Sequence, residues 1–166
     1  MNIHPLFVHF PIALLVMYSL LEIFRLHVIT RQPQYFGIKA FLLLTGSVMA
    51  VLTAMTGDMA EEIVTKTQPA LKDVIETHAM FAGMTVAIFG ILAAAYLLEI
   101  LHNRHICTRL VSNKLVRKLV RLVLRLSPLL AILGLVMITI TGGLGASIVY
   151  GPDVDPFVTF IYGLFF

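Results

Sequence analysis

Apolar residues run along this chain in four long stretches, at about residues 7–26, 36–56, 78–100 and 127–148. Each holds about the twenty residues that a helix rising 1.5 Å per residue needs to cross a hydrocarbon layer of about 30 Å. The pattern predicts four membrane-spanning helices in one all-α domain, residues 1–166, arranged as an up-down four-helix bundle with short connections. Thr67 and Pro69 read as a helix start, so the third helix is expected to run from about 69 through His78 to 100. The stretch "TGDMAEE" (56–62) reads as a glycine stop followed by an Asp58 N-cap with Glu61 three residues later.

Composition agrees with that reading. The 166 residues are 59% hydrophobic and 13% charged, with a mean hydropathy of +0.95, whereas a soluble domain carries about 25% charged residues. The first segment has no basic leader and no small-residue cleavage site, so no cleaved signal peptide is expected. A single cysteine, Cys107, excludes an intramolecular disulfide and a cysteine-only metal site. The absence of C-x-x-C-H excludes covalent haem attachment. Ser19, Ser47, Ser112, Ser127 and Ser147 stand in no nucleophile motif, so no catalytic residue is assigned.

Charge sets an expected orientation. Arg25, Arg31 and Lys39 follow the first helix, and seven more bases from Arg104 to Arg125 precede the fourth. Lys66 and Lys72 share their loop with Asp58, Glu61, Glu62, Asp73 and Glu76. Ten of the twelve bases therefore fall on one side, which the positive-inside rule assigns to the cytoplasm. Both termini and the 57–77 loop are then outside, in a multi-pass protein of the cytoplasmic (inner) membrane. Residues 109–126 place Lys114, Arg117, Lys118, Arg121 and Arg125 opposite Leu115, Leu119, Leu122 and Leu126. That is the pattern of an amphipathic helix on an anionic inner leaflet. The basic pI of about 9.2 is thereby explained without a nucleic-acid partner.

Small residues at helix-packing intervals suggest close backbone approach: Gly46, Ala50 and Ala54, then Ala79, Gly83, Ala87, Gly90 and Ala94. Gly142, Gly143 and Gly145 imply either tight helix contact or room for a bulky group. Glu22 and Glu99 lie near the inner helix ends with Arg25 and Arg104 close in sequence, as snorkelling ion pairs do.

His27, His102 and His105 fall in the basic connections. His4, His9 and His78 fall at the opposite boundary, beside Asp58, Glu61 and Glu62, and polar groups at membrane depth point to function. On a continuous helix His4 and His9 stand about 140° apart. If Pro11 opens the helix both turn inward. If Pro5 opens it, only His9 lies on the helix, which makes His9 and His78 the stronger expected pair.

The "HPLFVHFPIALL" start, the "GD" after the second helix, the histidine opening the third and the closing "GGLGASIVYG" resemble a bacterial family of predicted four-helix membrane proteins, the domain of unknown function 2231. The resemblance covers essentially the whole chain and implies the fold without a mechanism. In "VYGPDVDP" the chain departs from the polar tail of that pattern.

Three readings follow. One is a single b-type haem for electron transfer or redox sensing, ligated by His9 and His78, with Gly83, Gly142 or Gly143 making room and a redox or membrane protein as partner. The second is a transition-metal ion (Cu, Zn or Fe) held by His4, His9 and His78 with Asp58 or Glu61. The third is a structural membrane subunit without a cofactor.

Overall fold

A computed structural model of the chain describes residues 4–106 and 108–166, leaving aside the side chains of Pro5, Leu6, Leu110 and Val111. It is all helical, with no strand among the described residues. The helices are α1 (His4–Phe24), α2 (His27–Thr30), α3 (Tyr35–Thr67), α4 (Lys72–Asn103), α5 (Thr108–Val111), α6 (Lys114–Arg125), α7 (Ser127–Tyr150) and α8 (Pro156–Tyr162). A 3-10 turn, Pro69–Leu71, leads into α4. Four helical segments are long and apolar enough to cross a membrane: Phe7–Phe24, Tyr35–Thr67, Pro69–Asn103 and Ser127–Tyr150.

α3 is longer than its apolar pattern. Gly57 does not stop it and Asp58 does not start a new helix; the helix runs on through both to Thr67. Its 33 residues span about 50 Å at 1.5 Å each, so the polar last turns extend past the thickness of a hydrocarbon layer. Gly57 has another use. A Cβ there would lie 3.2 Å from the His4 ring, so its missing side chain is the space that imidazole occupies.

α1 and α4 each touch both α3 and α7, and stand across from one another. The shared core holds Leu15, Tyr18, Leu43, Phe89, Leu92, Tyr96 and Ala131. Gly46 and Gly134 sit where a Cβ would meet Leu15 and Phe89 at 2.7 and 2.6 Å, so these two glycines set the helix separations. The small residues of α4 behave differently. Gly83, Ala87 and Ala94 are exposed, and open space surrounds a Cβ at Gly83 or Gly90. They face away from the neighbouring helices.

The tail turns back on the body of the protein. Gly151, at φ +92°, ends α7 in a conformation that favours glycine. Asp155 caps α8 by accepting from the Val158 N–H at 2.9 Å, with Pro156 in the first turn. Ile161 then fills the surface over Gly143, where a Cβ would come within 2.8 Å, and Phe165 meets Phe81 edge-on at 5.1 Å. The space at Gly143 is therefore taken by α8, and that glycine makes no room for a haem.

Candidate functional site

The histidine-proline start of α1 is explained by its neighbour Thr53 in α3. Pro11 lies inside α1 and lacks the N–H that would bond the Phe7 carbonyl four residues back. The Thr53 hydroxyl donates to that carbonyl at 3.3 Å. The carbonyl of the same Thr53 lies 3.1 Å from His4 Nδ1, with the Thr56 hydroxyl oxygen also at 3.1 Å. A carbonyl only accepts, so Nδ1 carries the hydrogen and Nε2 is the basic nitrogen of the ring.

His78 on α4 is held in the same way. Its Nδ1 donates to the Thr141 carbonyl of α7 at 3.0 Å, and its ring lies over Gly145, where a Cβ would come within 3.1 Å. Each histidine thus uses a threonine carbonyl and the glycine four residues further on: Thr53 and Gly57 for one, Thr141 and Gly145 for the other. Both are half-buried. His4 precedes the apolar span Phe7–Phe24. There burial draws its pKa below the ordinary histidine value, against the opposing effect of the Thr53 carbonyl.

This arrangement corrects the expected pairing. α1 is continuous from His4, so the 140° separation applies; His4 faces α3 while His9 lies on the exposed side of α1. Asp58 and Glu61 line a shallow groove with Glu62, Thr65 and Lys66 on the last turns of α3. Among the described residues no three His, Cys, Asp or Glu side chains converge as a metal cluster, so the set of His4, His9, His78, Asp58 and Glu61 is not brought together. Gly83 and Gly142 face open space.

At the far end of the same helices lies a polar centre that the sequence reading only half found. The Glu22 carboxylate is fully buried. It pairs with Arg25 of the adjoining turn and with Lys39 of α3, itself 7% exposed. Ser127, opening α7, donates to Oε1 at 2.7 Å, and Tyr96 of α4 donates to Oε2 at 3.2 Å. All four long helices meet on this one carboxylate. Lys39 also lies over the rings of Tyr35 and Tyr96, at 4.5 and 5.6 Å from their centroids. With four donors around two oxygens the carboxylate is saturated, which suits a clasp rather than a proton carrier. Glu99 pairs with Arg117 of α6 at 2.8 Å, not with Arg104.

The two ends belong to one repeated pattern. In α1 the order is His4, Leu15, Glu22; in α4, at the same intervals, it is His78, Phe89, Tyr96. In α3 the order is Lys39, Gly46, Thr53, Gly57; in α7, at the same intervals, Ser127, Gly134, Thr141, Gly145. The contacts repeat as well: His4 and His78 on their threonines and glycines, Leu15 on Gly46, Phe89 on Gly134. α1 with α3 and α4 with α7 thus repeat the same residue intervals and the same contacts. The spacing of these glycines and threonines is the signal in the sequence that identifies the threonines as partners.

Fold and site together define a small integral membrane protein with two carbonyl-backed imidazoles at one end of its helices and a buried carboxylate clasp at the other. The chain belongs to the family of predicted membrane proteins designated DUF2231, whose profile matches residues 1–155. No curated protein and no solved structure matches it significantly.

Proposed function

We propose that the protein is an up-down four-helix bundle of a bacterial cytoplasmic membrane that binds one b-type haem between His4 and His78, for electron transfer or redox sensing. One observation carries the reading: two imidazoles on opposed helices each give Nδ1–H to a main-chain carbonyl. Donation of the second ring N–H to a carbonyl is the support that metal-ligating histidines commonly have, fixing the tautomer and raising the basicity of Nε2. Two protein ligands are fewer than the three or four that a zinc site takes, and they are the number that complete the coordination of a haem iron. When bound, the haem supplies one-electron redox chemistry. The chain's own part is to hold two neutral imidazoles in fixed tautomers, with Thr53 and Thr141 orienting them and Gly57 and Gly145 admitting their rings.

The uneven distribution of bases supports an orientation with the histidine end and both termini outside. In that orientation a redox partner reaches the haem from the outer face.

Absorption spectra of detergent-purified protein, with a metal assay on the same sample, test the proposal. A Soret band is expected, abolished by His4→Ala and by His78→Ala, and retained in His9→Ala and His27→Ala. Stoichiometric metal without that band, or no binding of added haem, refutes the haem reading.

A further inference from the structure

The helix α6 presents three different faces. Its start is fixed by Asn113, whose side chain accepts from the Leu115 and Val116 N–H groups at 2.9 and 3.4 Å. At about 100° per residue, Val116, Val120, Val123 and Leu124 share the side turned toward the protein. Val120 is buried, and Val123 and Leu124 pack against the main core. Leu115, Leu119, Leu122 and Leu126 form a second side, between 42% and 66% exposed. Lys114, Lys118, Arg121 and Arg125 form the third, all exposed. Arg117 stands apart from them, held by Glu99 at 2.8 Å and largely covered.

We propose that α6 is an anionic-lipid binding element: its leucine side lies among acyl chains and its four exposed bases, which form no ion pair among the described residues, bind lipid headgroup phosphates. Exposed leucines on a helix fixed to a membrane protein by its valine side are more stable in hydrocarbon than in water. Placing them there brings the adjoining basic side to headgroup depth. The complement is anionic, because residues 104–125 carry seven bases and no acid, and among the described residues only Arg117 of these is in an ion pair. The pairing narrows the site to Lys114, Lys118, Arg121 and Arg125, leaving Arg117 as a strut between α6 and α4. This inference does not depend on the histidine site.

The test uses the full chain in mixed micelles of phosphatidylcholine and phosphatidylglycerol, with retained lipid counted by mass spectrometry after purification. Each base near a lipid surface is worth about fivefold in attraction, so phosphatidylglycerol is expected to be enriched. Replacing Lys114, Lys118, Arg121 and Arg125 together with Gln is expected to reduce that enrichment by more than about tenfold. Arg117→Gln is expected to retain it. Unchanged enrichment in the fourfold variant, or displacement of the lipid by double-stranded DNA, overturns the proposal. A second measurement does not require that variant to fold. In a Cys107→Ser background, a fluorophore on Leu119→Cys is expected to be quenched by lipids brominated in their acyl chains, and one on Lys118→Cys much less. Equal quenching at the two positions, or none at Leu119→Cys, also overturns it.

Discussion

Glu22→Gln isolates the buried clasp with nearly no change in volume. The substitution removes the charge that Lys39, Arg25, Ser127 and Tyr96 share. Arg25 is half exposed and turns to solvent or headgroups at little cost; Lys39, 7% exposed, has no such escape. Leaving one partner of a buried pair uncompensated costs about 3–5 kcal/mol, and two hydroxyl donors lose part of their acceptor. Lys39→Met is expected to cost less, about 1–3 kcal/mol, because Glu22 keeps Arg25, Ser127 and Tyr96. The double variant leaves no buried ammonium, so it is expected to be more stable than Glu22→Gln alone, with a coupling of about 2–3 kcal/mol. Reversible unfolding in mixed detergent and dodecyl sulfate micelles, followed by helical circular dichroism, measures all three. Additive effects, or a Glu22→Gln penalty below about 1 kcal/mol, would refute the claim that this carboxylate joins the four helices.

The glycines divide by their surroundings: Gly134→Ala drives a Cβ to 2.6 Å from Phe89 and should cost about 1–3 kcal/mol. Gly142→Ala meets nothing within 4 Å and should be neutral or stabilising by up to about 1 kcal/mol, in the same unfolding assay. Gly57→Ala and Gly145→Ala press on His4 and His78 at 3.2 and 3.1 Å; each should weaken haem binding in a titration while retaining the far-ultraviolet spectrum. His4 has a lowered pKa, so the folded state binds its proton less readily than the unfolded chain. Its stabilising contribution is therefore present above the unfolded pKa near 6.5 and is lost as pH falls through the lower folded value. Denaturation followed from pH 8 to 5 should show that loss, and His4→Gln should flatten it. In a Cys107→Ser background, Thr67→Cys should react with an impermeant thiol reagent in intact cells and Ser112→Cys should not; the reverse result inverts the orientation.

Much of this molecule is legible in its sequence because lipid leaves few choices. An apolar stretch that must satisfy its own backbone becomes a helix, and the four long helices cover nearly all of the four apolar stretches. The ends are harder. Gly57 has the signature of a stop, yet the helix continues because the same glycine admits an imidazole from α1, a contact 53 positions away that no local pattern encodes. Lys39 counts as a loop charge when bases are tallied along the chain; in three dimensions it is buried against Glu22. Charge pairing across helices is a tertiary fact, whereas a partner one turn away, such as Arg25, can be read from spacing. The small residues of α4 carry the same ambiguity, since the spacing that permits helix contact does not say which face receives it.

The internal repeat separates what the two ends require. At one end both halves have the same trio of histidine, threonine and glycine, and the proposed haem would be held by one imidazole from each. At the other end the halves differ: Glu22 stands where its counterpart is Tyr96, and Lys39 where its counterpart is Ser127. Two carboxylates and two ammonium groups at that centre would double the desolvation cost of burying charge. One carboxylate that accepts from one buried ammonium, a half-exposed guanidinium and two hydroxyls satisfies its oxygens with a single deeply buried ion pair. Stability alone favours such divergence, and it would act equally on a histidine pair that only filled space, because a second half-buried imidazole also carries a desolvation cost. Both imidazoles stand in one tautomer on one kind of support, and this likeness, absent from the other end, is what the proposed haem would use.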